Sequence, residues 1–195
     1  MIPHVKTLSV VIPVYFEEAV LETFYRRVVE ALAPLEAEFN LELVFVNDGS
    51  MDRSLEILLA LRAQDTRVKV LHFSRNFGHQ IAVTAGIDHA SGDLVAIIDA
   101  DLQDPPEVIL EMIEHWRQGS KVVYGVRAER KGESPFKLVT AKVFYRLLGR
   151  LSEVKIPLDT GDFRLMDRIV VERLREMREE SRYIRGMISW LGFKQ

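Results

Sequence analysis

Three aspartates, Asp99, Asp101 and Asp104, stand within six residues directly after the apolar run at 94–98, in DLVAIIDADLQDPP. Like charges this close repel and cost desolvation unless a cation joins them. Asp104, followed by Pro105 and Pro106, has an ordinary explanation as an N-cap with proline in the first helical positions. Asp99 and Asp101 have no such explanation. They flank the small Ala100 and leave the run on its carboxyl side. A bound divalent cation accounts for both. Mg²⁺ or Mn²⁺ prefers carboxylate oxygens and commonly bridges them to phosphates, and Gln103 adds a neutral oxygen two residues on. An ion held there would neutralise a diphosphate leaving group. An isolated D-x-D carries little weight. Its place after a buried run, with VIPVYFEE and VNDGSMD upstream, gives it more.

Those residues need a scaffold. Apolar, β-rich runs recur at 8–14, 41–46, 68–73, 94–98 and 121–126. Their near-continuous hydrophobicity predicts strands covered on both faces, as in a parallel sheet. Between them lie helical patterns. Val20, Leu21, Phe24, Val28, Leu32 and Leu35 mark the first, and Leu55, Leu58 and Leu59 the second. Residues 80–90 form a less periodic third; Val108, Ile109, Met112, Ile113 and Trp116 mark the fourth. The alternation predicts an α/β fold, an open and mostly parallel sheet flanked by helices with right-handed crossovers. Ligands of such sheets bind at the carboxyl ends of the strands. Pro13, Tyr15 and Glu17 follow the first strand, and the turn at 47–50 follows the second, with Asp52 expected to cap the next helix. SRNFG follows the third strand, Asp99, Asp101 and Gln103 the fourth, and Gly125 and Arg127 the fifth. Any one of these is an ordinary turn; five on one edge describe a nucleotide site. Tyr15 can stack on a base, and Asp48 can accept from its N–H groups. Neither GxGxxG after the first strand nor GxxxxGK[ST] occurs, which argues against a nicotinamide dehydrogenase and a P-loop NTPase.

A chain of 195 residues, 48% hydrophobic and of near-zero mean hydropathy, is expected to form one domain with a substantial core. Its net charge of −3 points away from nucleic acid. The absence of cysteine fits a reducing compartment and excludes disulfides and thiolate metal sites. The start, MIPHVKTLSVVIPVY, does not read as a signal peptide. No apolar run approaches the ~18–20 residues of a transmembrane helix.

The stretches VVIPVYFEE, LVFVNDGSMDRS, SRNFGHQIAVTAGIDHASGD, DADLQDPP, VVYGVR and TGDFRLMDR together resemble the family 2 glycosyltransferases of GT-A fold. Within these they are similar to the polyprenyl-phosphate sugar transferases, the group of dolichol-phosphate mannose synthase and the bactoprenol glucosyltransferases. The resemblance implies inverting transfer of a hexose from a nucleotide sugar, a UDP-sugar favoured and GDP-mannose possible, to a polyprenyl phosphate at the cytoplasmic membrane face. It implies that Pro13, Tyr15, Glu17 and Asp48 hold the nucleoside. Asp99, Ala100 and Asp101 would form the diphosphate site, with Asp99, Asp101 and Gln103 on Mg²⁺ or Mn²⁺. Arg127 would contact phosphate, and Lys137 and Thr140 are further candidates for the acceptor phosphate. Asp162 occupies the place of a catalytic base or acceptor-site carboxylate. A lipid monophosphate, with a second pKa of roughly 6 by analogy with phosphoserine, is already anionic near neutral pH. "Active-site carboxylate" therefore fits Asp162 better than "base". Arg164 and Arg168 read as structural, with help on the acceptor side as the alternative.

The same comparison divides the chain into a donor half at about 6–127 and an acceptor, membrane-facing half at about 128–195. It also implies amphipathic and transmembrane segments after GFKQ. Between 127 and 150 seven basic residues stand against two acidic ones, with Lys142, Arg146 and Arg150 on one helical stripe. This is either a solvated face over a core stripe or a helix on an anionic membrane. Tyr183, Ile184, Met187, Ile188 and Leu191 form a second stripe, to be read as core or as an interfacial helix. A transferase using a sugar or polysaccharide acceptor is the rival activity, although the QxxRW of processive synthases is absent. A silent nucleotide-sugar-binding module is the rival outside enzymes, against which Asp99, Asp101 and Asp162 speak.

Overall fold

The apolar runs form five strands of one six-stranded sheet. The computed structural model describes residues 5–126, 160–177, 179 and 182–195. In chain order the elements are β1 (Lys6–Val14), α1 (Leu21–Leu32), a 3₁₀ turn (Ala33–Leu35), β2 (Phe39–Asn47), α2 (Ser54–Gln64), β3 (Val68–His72), α3 (His79–His89), β4 (Leu94–Ile97), α4 (Val108–Arg117), β5 (Val122–Val126), β6 (Thr160–Asp167), α5 (Arg168–Glu176) and α6 (Ile184–Leu191). The sheet order is β3-β2-β1-β4-β6-β5. β1 pairs in parallel with β2 and β4, and β2 with β3; β6 runs antiparallel to both β4 and β5.

Successive side chains of a strand point to opposite faces, and both faces here are covered. On one, Leu8, Val10 and Ile12 of β1 and Phe45 of β2 pack with Phe24 and Val28 of α1 and Ile109 and Met112 of α4. On the other, Val11, Val44 and Ile97 pack with Ala82, Val83 and Ile87 of α3 and with Val170, Val171 and Leu174 of α5. This explains why the parallel strands read as unbroken apolar runs. The second C-terminal stripe is largely core as well: Ile184, Met187 and Ile188 are buried on that face, while Tyr183 and Trp190 stay exposed.

Three local expectations change. β6 was not foreseen as a strand, because its centre carries Arg164, buried to 4% side-chain exposure among apolar neighbours. Asp104 does not cap α4; the helix begins at Val108, after turn hydrogen bonds from Val108 N to Pro105 O and from Ile109 N to Pro106 O. Nor does Asp52 hold the N-cap position of α2, which is Arg53 because the helix begins at Ser54, one residue later than expected; Asp52 instead braces that start from just outside, accepting from Ser54 N at 3.1 Å.

α3 lies unusually close to the sheet. A Cβ placed on Gly86 would meet Val11 Cγ1 at 2.2 Å. Gly86→Ala is therefore expected to overpack this contact and destabilise the protein by about 1–3 kcal/mol, measured by urea unfolding. A neutral result would show that α3 can lift off β1 without cost.

Candidate active site

The carboxyl ends of β1, β2 and β4 carry short loops that hold one another. Phe16 N donates to Ser50 Oγ (3.0 Å), Glu17 N to Ser54 Oγ (3.1 Å) and Glu18 N to Asp52 Oδ2 (3.2 Å). Gly49, at φ +69°, lets the 47–50 turn lie against the loop after β3; a Cβ there would sit 2.2 Å from Arg75 C. Two non-glycine residues adopt left-handed backbone, Phe16 (φ 59°) and Leu102 (φ 62°). Such conformations are uncommon for bulky residues and persist where surrounding structure enforces them. Each stands beside candidate site residues: Phe16 between Tyr15 and Glu17, Leu102 between Asp101 and Gln103.

These loops enclose a cleft of about 260 Å³ lined by Pro13, Tyr15, Glu17, Asp48, His79, Asp99, Ala100 and Asp101, among others. Seven of the residues expected to hold the donor thus meet in one place. Gln103 does not line it. Its side chain borders a second cavity of about 680 Å³ between α4 and β5, while its backbone N donates to Asp101 Oδ1 at 3.0 Å. Asp48 is turned toward its own chain, accepting from Asn76 Nδ2 (3.0 Å), Phe77 N (2.7 Å) and Gly78 N (3.0 Å). Its carboxylate pins the loop leading into α3. Arg127, Lys137 and Thr140, together with the basic stretch at 127–150, lie outside the described residues.

The acidic cluster is electrostatically uncomfortable. Burial pushes the Asp99 carboxyl above its ordinary pKa, and the charges of Asp101, Asp162 and Asp104 add to this while His79 opposes it. Glu17 is raised by burial, then by Asp101, Asp52 and Asp99. Asp99 Oδ1 is buried and takes no hydrogen bond from the described residues. An orphaned carboxylate oxygen in a cluster of hard oxygen donors suits Mg²⁺ or Mn²⁺. Among the described residues no three His, Asp or Glu side chains form a complete metal cage. An ion at Asp99 and Asp101 would take its other ligands from phosphate oxygens and water.

Asp162, on β6, sits at the edge of this cluster and organises a network that the sequence did not reveal. His79 Nε2 donates to Asp162 Oδ2 (3.1 Å), as does Gln80 Nε2 (3.2 Å). Arg185 Nε donates to Oδ1 (2.9 Å), and a guanidinium nitrogen of Arg164 lies 3.5 Å from the same oxygen. Burial alone would raise the Asp162 carboxyl. The hydrogen bonds from His79 and Arg185 and the charges of Arg185 and Arg164 outweigh it and hold the group well below the usual carboxylate range. Arg164 is drawn down to about 10 by burial against the pull of Asp162, and so stays charged near neutrality. It donates to the backbone oxygens of Asp162 (3.1 Å) and Gly161 (3.0 Å), which fits its structural reading. Arg168, likewise structural, donates to Ala90 O at 3.0 Å. Gln80 completes the network, its Oε1 accepting from Ile184 N at the start of α6 (3.3 Å). His79, Gln80 and Arg185 were missed as site residues. Asp162 lies 83 residues from His79 and 23 from Arg185 in sequence, and only the sheet order joins them.

The chain is similar to known proteins in sequence and in fold. The chain is 56% identical over 187 residues to the uncharacterized glycosyltransferase YkcC of Bacillus subtilis (strain 168), covering 96% of this chain and 57% of that protein. It is 44% identical over 187 residues to the bactoprenol glucosyl transferase of Shigella phage SfV, covering 95% and 60%. The chain therefore spans just under three fifths of the length of these relatives. Among solved structures it resembles glucosyl-3-phosphoglycerate synthase from Mycobacterium tuberculosis, crystallised with Mn²⁺, UDP and phosphoglyceric acid. That match has a TM-score of 0.57 at 21% identity, covering 85% of this chain and 57% of the other, and it shows the GT-A fold. The family model described as Glycosyl transferase family 2 matches residues 9–175, and with relatives at this identity the chain belongs to that family.

Proposed function

We propose that this chain is the catalytic domain of an inverting, divalent-cation-dependent hexosyltransferase. Its donor is a nucleoside diphosphate sugar, a UDP-sugar in preference to GDP-mannose, and its acceptor a polyprenyl phosphate at the cytoplasmic membrane face. Residues 1–195 act as one domain, with the donor half at about 6–127 and the acceptor half at about 128–195. The carrying observation is that His79, which lines the cleft together with Asp99 and Asp101, lies within reach of both Asp99 and Asp162 and so joins Asp162 to that cleft. The relatives named as bactoprenol glucosyl transferases support the choice of acceptor. Among the described residues no helix is long and apolar enough to cross a membrane, so contact with the bilayer is assigned to other parts of the protein or to its surface.

The donor nucleoside lies against Pro13, Tyr15 and Glu17, in a cleft whose wall Asp48 braces. Its diphosphate reaches Asp99 and Asp101, the residues that would hold Mg²⁺ or Mn²⁺. When bound, the ion supplies positive charge to the departing diphosphate. An acceptor phosphate oxygen attacks the anomeric carbon from the face opposite the diphosphate. One C–O bond forms as the other breaks, the nucleoside diphosphate leaves with the electron pair, and the centre inverts. No proton need be removed from an acceptor that is already anionic. Asp162, ionised and saturated with donors, orients His79, Gln80 and Arg185 rather than taking a proton. In this reading Arg127, Lys137 and Thr140 belong to the acceptor phosphate site.

Labelled UDP-glucose, UDP-N-acetylglucosamine and GDP-mannose, each incubated with polyprenyl phosphate in anionic vesicles or with soluble saccharides, test the reading. Label from one donor is expected in the lipid phase. Efficient transfer to a soluble saccharide, with none to lipid, would replace it by the polysaccharide-acceptor alternative.

A further inference from the structure

His79 occupies a position that the donor and acceptor assignments leave without a task. It is the first residue of α3, and the three hydrogen bonds that Asp48 accepts from residues 76–78 fix the chain directly before it. Its Nε2 lies 3.1 Å from Asp162 Oδ2 and 3.8 Å from Asp99 Oδ1. The ring therefore spans the gap between the carboxylate on the diphosphate side and the carboxylate on the acceptor side. A link serving only the fold would be expected to be buried, yet the His79 side chain is 41% exposed and lines the cleft. Asp162 does not depend on it for neutralisation, since Arg185 and Gln80 also donate to that carboxylate.

The ring's chemistry narrows its use. With Nε2–H committed to Asp162, Nδ1 is the remaining polar atom, and it takes no hydrogen bond from the described residues. An imidazole nitrogen accepts from a hydroxyl when the ring is neutral and donates to one when it is protonated, so it can bond a hydroxyl in either state. Any group passing from a diphosphate at Asp99 and Asp101 to an acceptor near Asp162 must cross the space beside this ring. A sugar crossing there brings several hydroxyl donors.

We propose that His79 is the residue that binds the transferred sugar, making a hydrogen bond with one of its hydroxyls while Asp162 holds the ring in place. This rests on the reading of the cleft as a nucleotide-sugar site. It deepens that reading by separating recognition of the sugar from recognition of the nucleotide. Polar groups that read a hydroxyl discriminate strongly when the partner is lost, because they are then left unpaired.

Calorimetric titration of the chain with UDP and with UDP-glucose, both in Mn²⁺, tests the separation. His79→Ala is expected to leave the UDP dissociation constant within about twofold while weakening UDP-glucose by about tenfold, so that the ratio of the two constants shifts. His79→Gln, which restores both a donor and an acceptor at similar reach, is expected to recover most of that loss. GDP and GDP-mannose form the matching pair if the nucleotide is guanosine. Equal weakening of nucleotide and nucleotide sugar, or no change in either, would overturn the assignment of His79 alone. Failure of the wild-type protein to bind either nucleotide would overturn the donor-site reading and this inference with it.

Discussion

Replacing Asp162 by asparagine is expected to lower transfer to polyprenyl phosphate by about 100-fold or more, while affinity for the nucleoside diphosphate stays within about threefold of wild type. Among the described residues, the Asp162 side chain makes no hydrogen bond to the loops that follow β1 and β2. It is joined instead to His79, Gln80, Arg164 and Arg185. Asparagine keeps the shape but removes the charge and turns one acceptor oxygen into a donor facing cations or amide hydrogens. The groups it holds then lose their common orientation, and misplacement by even an ångström is costly in a transfer site. Stability should also fall, by about 3 kcal/mol, since a buried guanidinium at Arg164 loses its counter-charge. Donor titration of the variant shows whether it is folded. Loss of donor binding as large as the loss of transfer would place Asp162 on the nucleotide side. The pH dependence separates an orienting role from a base. A carboxyl held below its ordinary value is ionised throughout the neutral range, and its contribution is lost only as pH falls below that of an ordinary aspartate. The acid limb of transfer should therefore follow the acceptor phosphate, near pH ~6, and move when the acceptor's acidity is changed.

The second large effect concerns the acidic loop after β4. Asp101→Ala is expected to weaken nucleotide-sugar binding by about 1–3 kcal/mol, the loss of one charge-assisted contact, and chelation of divalent cations should weaken it at least as much. Asp99→Asn should also impair the donor site, but with the opposite effect on the metal-free fold. Asp99 has its pKa raised by burial and by neighbouring carboxylates. Its ionised form thus opposes folding: the destabilisation sets in as pH rises through the ordinary aspartate range and is complete once pH exceeds the raised value. Removing that charge should stabilise the metal-free protein by about 1 kcal/mol, the usual scale for relieving a site built for function. Donor titrations with and without chelator, paired with urea unfolding, read both effects. Unchanged donor affinity in chelator would remove the ion from the account. A destabilised Asp99→Asn would mean that the carboxylate is neutralised within the chain.

How much of this was legible in the sequence follows from the range of each signal. β1, β2 and β4 are covered on both faces, so their burial is written locally as unbroken apolar runs ending in polar loops. The strand-end rule then gathered Pro13, Tyr15, Glu17, Asp48, Asp99 and Asp101 on one edge, where the structure places them together. β6 was hidden because its buried Arg164 and its site residue Asp162 interrupt the pattern. Asp104 read as a helix cap, but the turn through Pro105 and Pro106 delays α4 to Val108. The Asp162 network is non-local. It arises because β6 inserts between β4 and β5 and so faces the start of α3, and α6 then brings Arg185 to it. No spacing in the chain encodes that meeting.

The central claim is that an anionic acceptor attacks the donor sugar directly across the cleft between Asp99–Asp101 and Asp162, with no enzyme-bound intermediate. Proton NMR of the anomeric position in the purified product tests it most directly. Starting from an α-linked nucleotide sugar such as UDP-glucose, the account predicts a β-linked glycosyl phosphate. An α-linked product would contradict it, because attack from the face opposite the diphosphate inverts the centre, and retention needs either two displacements or attack from the same face.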